Sequence, residues 1–197
     1  EESGLIIDIS NWVFNEVCAN IKQWKAQNRQ ELQVSINTSP SHYFNLESNI
    51  TQWLNLLLDQ KISARSILLE VTENLLMEAN EMVSKKLFQF RQAGVDIALD
   101  DFGTGYSSIS YLKRFPTDFI KIDRSFVKSM TDVSNDKVLC EAIIVMANKL
   151  GIKVVAEGVE TQEQYDILKS MGCDYAQGYF IAKPLSKSDF ESFWERH

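Results

Sequence analysis

The sequence predicts an α/β protein in which a parallel sheet is covered by helices, and three observations lead to that class. Segments of alternating or wholly apolar character take turns with segments whose apolar residues recur at helical spacing. Glycines at 94, 151 and 172 close helical segments just before the next strand begins. Each strand ends on or near a polar residue, in chain order Asn37, Glu70, Asp100 with Asp101, Lys121, Glu157 and Gln177.

The elements follow in order. Residues 5–25 carry Ile9, Trp12, Val13, Val17, Ile21 and Trp24 at the spacing of one helix face, which predicts an amphipathic helix buried on that stripe. Residues 32–37 (LQVSIN) alternate with period two and stop at the Ser39-Pro40-Ser41 turn, as a strand does. Helical spacing over 45–60 precedes an apolar strand at 66–71 (SILLEV). The cycle repeats with a helix at 80–93, strands at 95–101 and 119–123, a helix at 134–150 and a strand at 153–157. A helix at 161–171, a weak strand at 173–178 and a last helix at 188–196 complete the chain. Six strands alternating with helices fit two closures: an open doubly wound sheet, or a (β/α)8 TIM-type barrel from which two strands are absent. No GxGxxG follows any strand, so the dinucleotide-binding form of the open sheet has no support.

Composition narrows the function classes. With 197 residues, 45% of them apolar, and only 8 Gly and 3 Pro, the chain reads as one globular domain rather than a disordered or low-complexity segment. Twenty Lys and Arg against 27 Asp and Glu leave a net charge of -7, which excludes a broad electrostatic footprint for polymeric nucleic acid. A small anionic ligand remains compatible when metal ions mediate. Cys18, Cys140 and Cys173 are an odd set without CxxC spacing and sit among apolar neighbours, so we expect buried free thiols. No apolar run approaches the ~20 residues of a membrane span, and the first residues have no signal-peptide character, so a soluble, cytoplasmic location is expected. His42, in the Ser-Pro-Ser turn, and His197, at the end of the chain, are expected to be solvated.

The polar strand ends carry the chemistry. In a parallel barrel the carboxyl ends of all strands share one face, so residues as far apart as 37 and 177 would converge there. Taken singly, each has a plainer explanation, since strand ends are where the chain meets water and Asp100-Asp101 could simply open the Phe102-Gly103-Thr104-Gly105 turn. Glu70 and Glu157 resist it, because they follow the apolar stretches SILL and KVVA, where a lone buried carboxylate is costly. Several carboxylates at one mouth would repel one another and any phosphate, and divalent cations resolve both conflicts. Asn37, Glu70, Asp100, Asp101 and Glu157 offer only oxygen donors, which suits Mg2+ or Mn2+ better than Zn2+. Metals held in this way can bridge a phosphodiester and activate water, with Lys121 supplying a further positive charge. A metal site at a barrel mouth is equally compatible with lyases, isomerases and other hydrolases.

Taken together, the motifs resemble one family. Asn37-Thr38-Ser39, Leu69-Glu70-Val71-Thr72-Glu73, the stretch from Asp100 to Ser108 (DDFGTGYSS), Ile120-Lys121-Ile122-Asp123, Val155-Ala156-Glu157-Gly158-Val159-Glu160 and Ala176-Gln177-Gly178-Tyr179 are similar, in order, to those of bacterial EAL domains, which hydrolyse cyclic diguanylate (c-di-GMP) to linear pGpG. The resemblance implies the barrel closure over residues 1–197 and two Mg2+ or Mn2+ ions held by Asn37, Glu70, Asp100, Asp101 and Glu157. It implies Glu157 as general base and Lys121 as orienter of the attacking water, with Gln177 and Glu160 supporting the site. Glu73 would anchor a regulatory loop containing Phe102, Gly103, Thr104 and Gly105; its plainer role is that of an acid at a helix N-terminus. The Glu-Ala-Leu tripeptide that names the family does not occur in the chain, and residues 1–6 resemble the stretch just after it. The expectation is therefore an EAL domain incomplete at its N-terminus, its first strands, a metal-binding Glu and a substrate-holding Arg lying before residue 1. The family's habits imply a homodimer and preceding sensory or diguanylate-cyclase domains, in a parent protein that can be membrane-attached.

Three other readings fit the sequence less well. A catalytically inactive c-di-GMP receptor would be expected to lose metal ligands, yet each one within this chain is kept. A kinase, suggested by Asp101-Phe102-Gly103, lacks a Gly-rich loop, a VAIK lysine and an HRD loop. A purely structural interaction domain leaves Glu70 and Glu157 unexplained.

Overall fold

A computed structural model of the chain describes residues 5–27, 32–44, 50–104, 112, 114–115, 117–131 and 135–196. The chain divides into two compact units, Glu1–Ile120 and Lys121–His197, so that their boundary falls inside one short strand.

In the first unit, α1 (Leu5–Ala26) leads to β1 (Val34–Asn37), a one-turn helix α2 (Ser41–Phe44) and α3 (Ile50–Asp59). A 3-10 turn (Ala64–Ser66) feeds β2 (Ile67–Thr72), followed by α4 (Glu73–Met77), α5 (Glu81–Gln92), β3 (Asp96–Phe102) and the first half of β4 (Phe119–Ile122). Strands β1, β2 and β3 pair in parallel, with Ile36 opposite Leu69 and Leu69 opposite Ile97. Five of the six β2 residues are buried, which is how a strand covered on both faces reads and why four of the six are apolar. Asn80 caps α5 by accepting from the Val83 N–H, and Val95 N–H returns to Phe90 O at 3.1 Å to close that helix over Gly94.

The core of this unit is built around Trp53. Its ring stacks on Phe14 at 4.3 Å and tilts against His42 and Phe90, while its indole N–H donates to Asn11 Oδ1 at 2.7 Å. That packing sets the orientation of α1, whose buried residues are Ser10, Phe14, Cys18 and Ile21. The stripe expected from sequence is thus corrected: Ile21 lies in it, but Ile9 and Trp12 are exposed at 51% and 64%. The expectation for His42 is also corrected. It is 5% exposed, packed against Trp53 in a helical turn that the sequence suggested to be an open turn. Burial, with Lys86 nearby, holds its pKa below the usual histidine value.

The second unit begins with the rest of β4 and contains α6 (Arg124–Lys128), α7 (Asn135–Leu150), β5 (Lys153–Glu157), α8 (Gln162–Ser170), β6 (Tyr175–Gln177) and α9 (Lys187–Arg196). β5 and β6 pair in parallel, Val155 opposite Tyr175 and Glu157 opposite Gln177. Val127, Met130, Cys140, Ile144, Ala147, Val154, Ala156 and Val159 are buried to 0% and form its core. Both α7 and α8 end like α5: Ile152 N–H returns to Ala147 O and Cys173 N–H to Leu168 O.

Cys18 and Cys140 are buried, Cys173 is half-buried, and all three are free. Burial pushes their thiols up to about 11, 12 and 11 respectively, the values of inert structural cysteines. No helix among the described residues is long and apolar enough to cross a membrane.

Candidate active site

In the first unit, register places the polar strand ends. Asn37 pairs with Glu70, Glu70 with Ala98, and Thr72 with Asp100. Because side chains alternate along a strand and paired residues share a face, Asn37, Glu70 and Asp100 lie on one sheet face near its carboxyl edge, while Ile36, Leu69, Val71, Ile97 and Leu99 form the other. Asn37 is exposed, whereas Glu70 is buried at 4%, so β2 brings an ionisable group inward from an otherwise apolar strand.

Thr38 fixes the junction between the first two ligand candidates. Its N–H and its hydroxyl both donate to Glu70 O, at 3.1 and 2.7 Å. The buried Tyr43 hydroxyl then lies 3.0 Å from Thr38 Oγ1, placed to donate to it. Burial pushes the Tyr43 phenol well above the usual tyrosine value, against the opposing effect of that bond.

Asp100 and Asp101 occupy successive positions, which would send them to opposite faces of a regular strand. Asp101 instead has φ of 54°, in the left-handed region that Asp tolerates better than most residues. The pleat is broken there, and the two carboxylates approach within 4.8 Å of each other. Thr104 holds this conformation by donating to Asp101 O from both its N–H and its hydroxyl, at 3.3 and 2.9 Å. The strand runs on through Phe102, which is buried at 4%, so Phe102 belongs to β3 and not to the loop that the sequence suggested; Gly103 and Thr104 follow it. Gly105 lies outside the described residues. Glu73 is the first residue of α4 and is buried at 5%, in the position of an N-terminal acid.

In the second unit, Lys121 and Glu157 form an ion pair of 2.7 Å, with side chains only 5% and 18% exposed. Glu157 ends β5 beside Gln177, which ends β6 and is exposed. Glu160 is exposed, and its N–H donates to Gln164 Oε1 at 2.8 Å. Gln164, which sequence reasoning did not single out, is buried at 6% and ties the segment down: it completes a capping box with Thr161 and donates from Nε2 to Val127 O at 3.2 Å. The Thr-x-x-Gln spacing was the available signal.

These donors are chemically suited to hard divalent cations. Asn37, Glu70, Asp100 and Asp101 offer oxygens only, and two carboxylates held within 4.8 Å of one another are stabilised by a cation. His42, buried against Trp53, does not join them.

Comparison with known proteins agrees with the motifs. The EAL domain family matches residues 1–184. The chain belongs to the EAL domain family. This EAL domain is 36% identical over 193 residues to the cyclic di-GMP phosphodiesterase NbdA of Pseudomonas aeruginosa, a match covering 98% of the chain and 24% of NbdA. It therefore spans about a quarter of that relative's length. Among solved structures, the PaMucR phosphodiesterase in complex with c-di-GMP superposes with a TM-score of 0.90 at 34% identity, covering 96% of this EAL domain and 76% of that chain. The Klebsiella pneumoniae BlrP1 complex with manganese and c-di-GMP gives 0.77 at 30% identity, over 90% of this chain and 45% of that one. The fold class is thus the TIM-type α/β class of EAL structures, and the open doubly wound alternative is set aside.

Proposed function

We propose that this EAL domain is the phosphodiesterase part of a longer signalling protein, hydrolysing c-di-GMP to pGpG with divalent metal ions. The observation that carries the reading is the ion pair between buried Lys121 and half-buried Glu157 at the end of β5 in a chain of this family. NbdA is named as a c-di-GMP phosphodiesterase, and BlrP1 was solved with manganese and c-di-GMP together, which supports both the substrate and the metal class.

Asn37, Glu70, Asp100, Asp101 and Glu157 would hold the ions, two Mg2+ or Mn2+. When bound, such ions supply the positive charge that brings an anionic phosphodiester to an acidic site and makes water nucleophilic at neutral pH. The residues do the rest. Glu157, whose carboxylate lies 2.7 Å from the Lys121 ammonium, accepts the proton of the attacking water. Lys121 holds Glu157 and orients that water toward phosphorus, and its charge faces the oxyanion that develops there. Gln177, beside Glu157 on the neighbouring strand, and Glu160 support the substrate and the metal network. Glu73 anchors the loop that follows Phe102, linking site occupancy to subunit contact. Residues 1–197 are read as one EAL domain incomplete at its N-terminus, in a protein with additional sensory or cyclase domains and a cytoplasmic site of action. Exposed Val138, Leu139 and Val145 on α7 suit a homodimer contact.

The test is turnover of c-di-GMP by the full-length protein with Mn2+ or Mg2+ and with chelator. The expected result is metal-dependent release of pGpG, with Glu157→Gln lowering kcat by about 10^2–10^4-fold. Binding of c-di-GMP without turnover by the wild type would establish the receptor reading instead.

A further inference from the structure

We propose that Gly158 and Gly178 form a side-chain-free seat that sets the Glu157 carboxylate against Lys121, making both glycines positioning residues for the reaction. The inference rests on the role given above to the Lys121–Glu157 pair.

Gly178 follows β6, and its φ is not in the left-handed region, so its backbone conformation does not demand glycine. Space does. A Cβ there would lie 2.1 Å from Val159 O and 2.3 Å from Val159 N, and backbone atoms cannot swing aside as a flexible side chain would. The same segments are tied by two hydrogen bonds of 3.0 Å, Val159 N–H to Gln177 O and Phe180 N–H to Val159 O. Nor can the Gly178 side retreat readily, because its carbonyl accepts from Ile181 and Ala182 N–H at 3.0 and 3.2 Å. Val159 is therefore clasped to the end of β6, two residues beyond Glu157.

Gly158 closes the other side. It has φ of 68°, and a Cβ would meet Arg124 Cβ at 2.6 Å and Arg124 Cα at 3.3 Å. Arg124 opens α6 three residues after Lys121, with Asp123 between them as the helix cap. Thus one glycine lets the segment carrying Lys121 close on the end of β5, and the other lets β6 do so. A side chain at either position must displace the Glu157–Val159 backbone or the segment packed against it, the start of α6 or the end of β6. A shift of about 1 Å at a reacting group can cost about 10^2-fold in rate.

The experiment uses the full-length protein with Gly178→Ala and Gly158→Ala. Gly172→Ala is the control, since that residue has φ of 82° but its Cβ would meet only Asn148 Nδ2, at 3.7 Å. Two readouts are taken: steady-state hydrolysis of c-di-GMP with Mn2+, and the rate of Lys121 acylation by acetic anhydride followed by mass spectrometry. Lys86, whose ammonium donates to His42 O in the first unit, is the internal reference. The seat predicts that Gly178→Ala and Gly158→Ala lower kcat about 10^2-fold with KM little changed, and label Lys121 about tenfold faster with Lys86 unaffected. Gly172→Ala should match the wild type in both. Folded variants in which Lys121 stays protected as in the wild type overturn the seat, whatever their activity. Lys121 unprotected with kcat retained upholds the seat and overturns the catalytic role of the pair. If neither variant folds, amide hydrogen exchange on the wild type decides: the seat predicts that Val159 and Phe180 are protected like the amides of β5, and exchange at the rate of an open loop overturns it.

Discussion

Thr38 and Asp123 show how single side chains fix the geometry on which the reading depends. The Thr38 hydroxyl lies between Glu70 O and the Tyr43 hydroxyl, both buried. Thr38→Val keeps the shape but leaves the Tyr43 hydroxyl without that partner, so we expect a loss of about 1–3 kcal/mol in denaturant unfolding, with Thr38→Ser restoring most of it. Asp123 caps α6 through the Ser125 N–H at 2.9 Å and a short contact with the Ser125 hydroxyl. Burial alone would raise its pKa, but these bonds, the Arg124 N–H and the Arg124 charge outweigh burial and hold it below the usual carboxylate value. A depressed carboxylate contributes stability that is fully present above its unfolded pKa of about 3.9 and is lost as pH falls through the lower folded value. Unfolding measured between neutral and acid pH should therefore show Asp123→Asn destabilising the protein near neutrality, with the gap to wild type narrowing toward pH 2.

At the scale of elements, caps are the devices most open to test. The Thr161–Gln164 capping box starts α8, and Thr161→Ala should cost about 1 kcal/mol in the same assay. Long elements were legible in the sequence because periodicity and caps agree over many residues. The pattern predicts strand 153–157 with its observed bounds, and the helices at 80–93 and 161–171 differ from α5 and α8 only by their cap residues. Short helices were not legible, since the five residues of α4 or α6 complete barely more than one turn and carry no period. Periodicity predicts helix α1 but not its buried side. Apolar residues surround much of it, and the face that packs is selected by tertiary contacts such as the stacking of Trp53 on Phe14. His42 departs from expectation for a related reason: a Ser-Pro-Ser context signals a turn but says nothing of the aromatic ring packed against it.

For the molecule as a whole, the polar strand ends were readable because chain order and strand period are sequence properties. Asn37, Glu70 and Asp100 fall on one face of the first unit's sheet as that period requires, and Asp101 joins Asp100 only through a left-handed backbone that no pattern announces. The Lys121–Glu157 contact and the glycine seat around it are tertiary, formed by residues 36 and 20 positions apart in sequence, and leave no local signature. Exposed Val138 and Val145 on α7 give the proposed dimer a direct test: Val138→Glu with Val145→Glu should turn a dimer into a monomer by light scattering, while an unchanged mass would place the contact elsewhere. The central claim is that oxygen donors from successive strand ends hold divalent ions for phosphodiester cleavage. Its most direct measurement is an anomalous difference map of the full-length protein crystallised with Mn2+ and c-di-GMP. The account predicts manganese peaks about 2.0–2.6 Å from oxygens of Asn37, Glu70, Asp100, Asp101 and Glu157, next to the bound phosphate. Peaks away from these residues, or c-di-GMP bound with no manganese beside it, would contradict it.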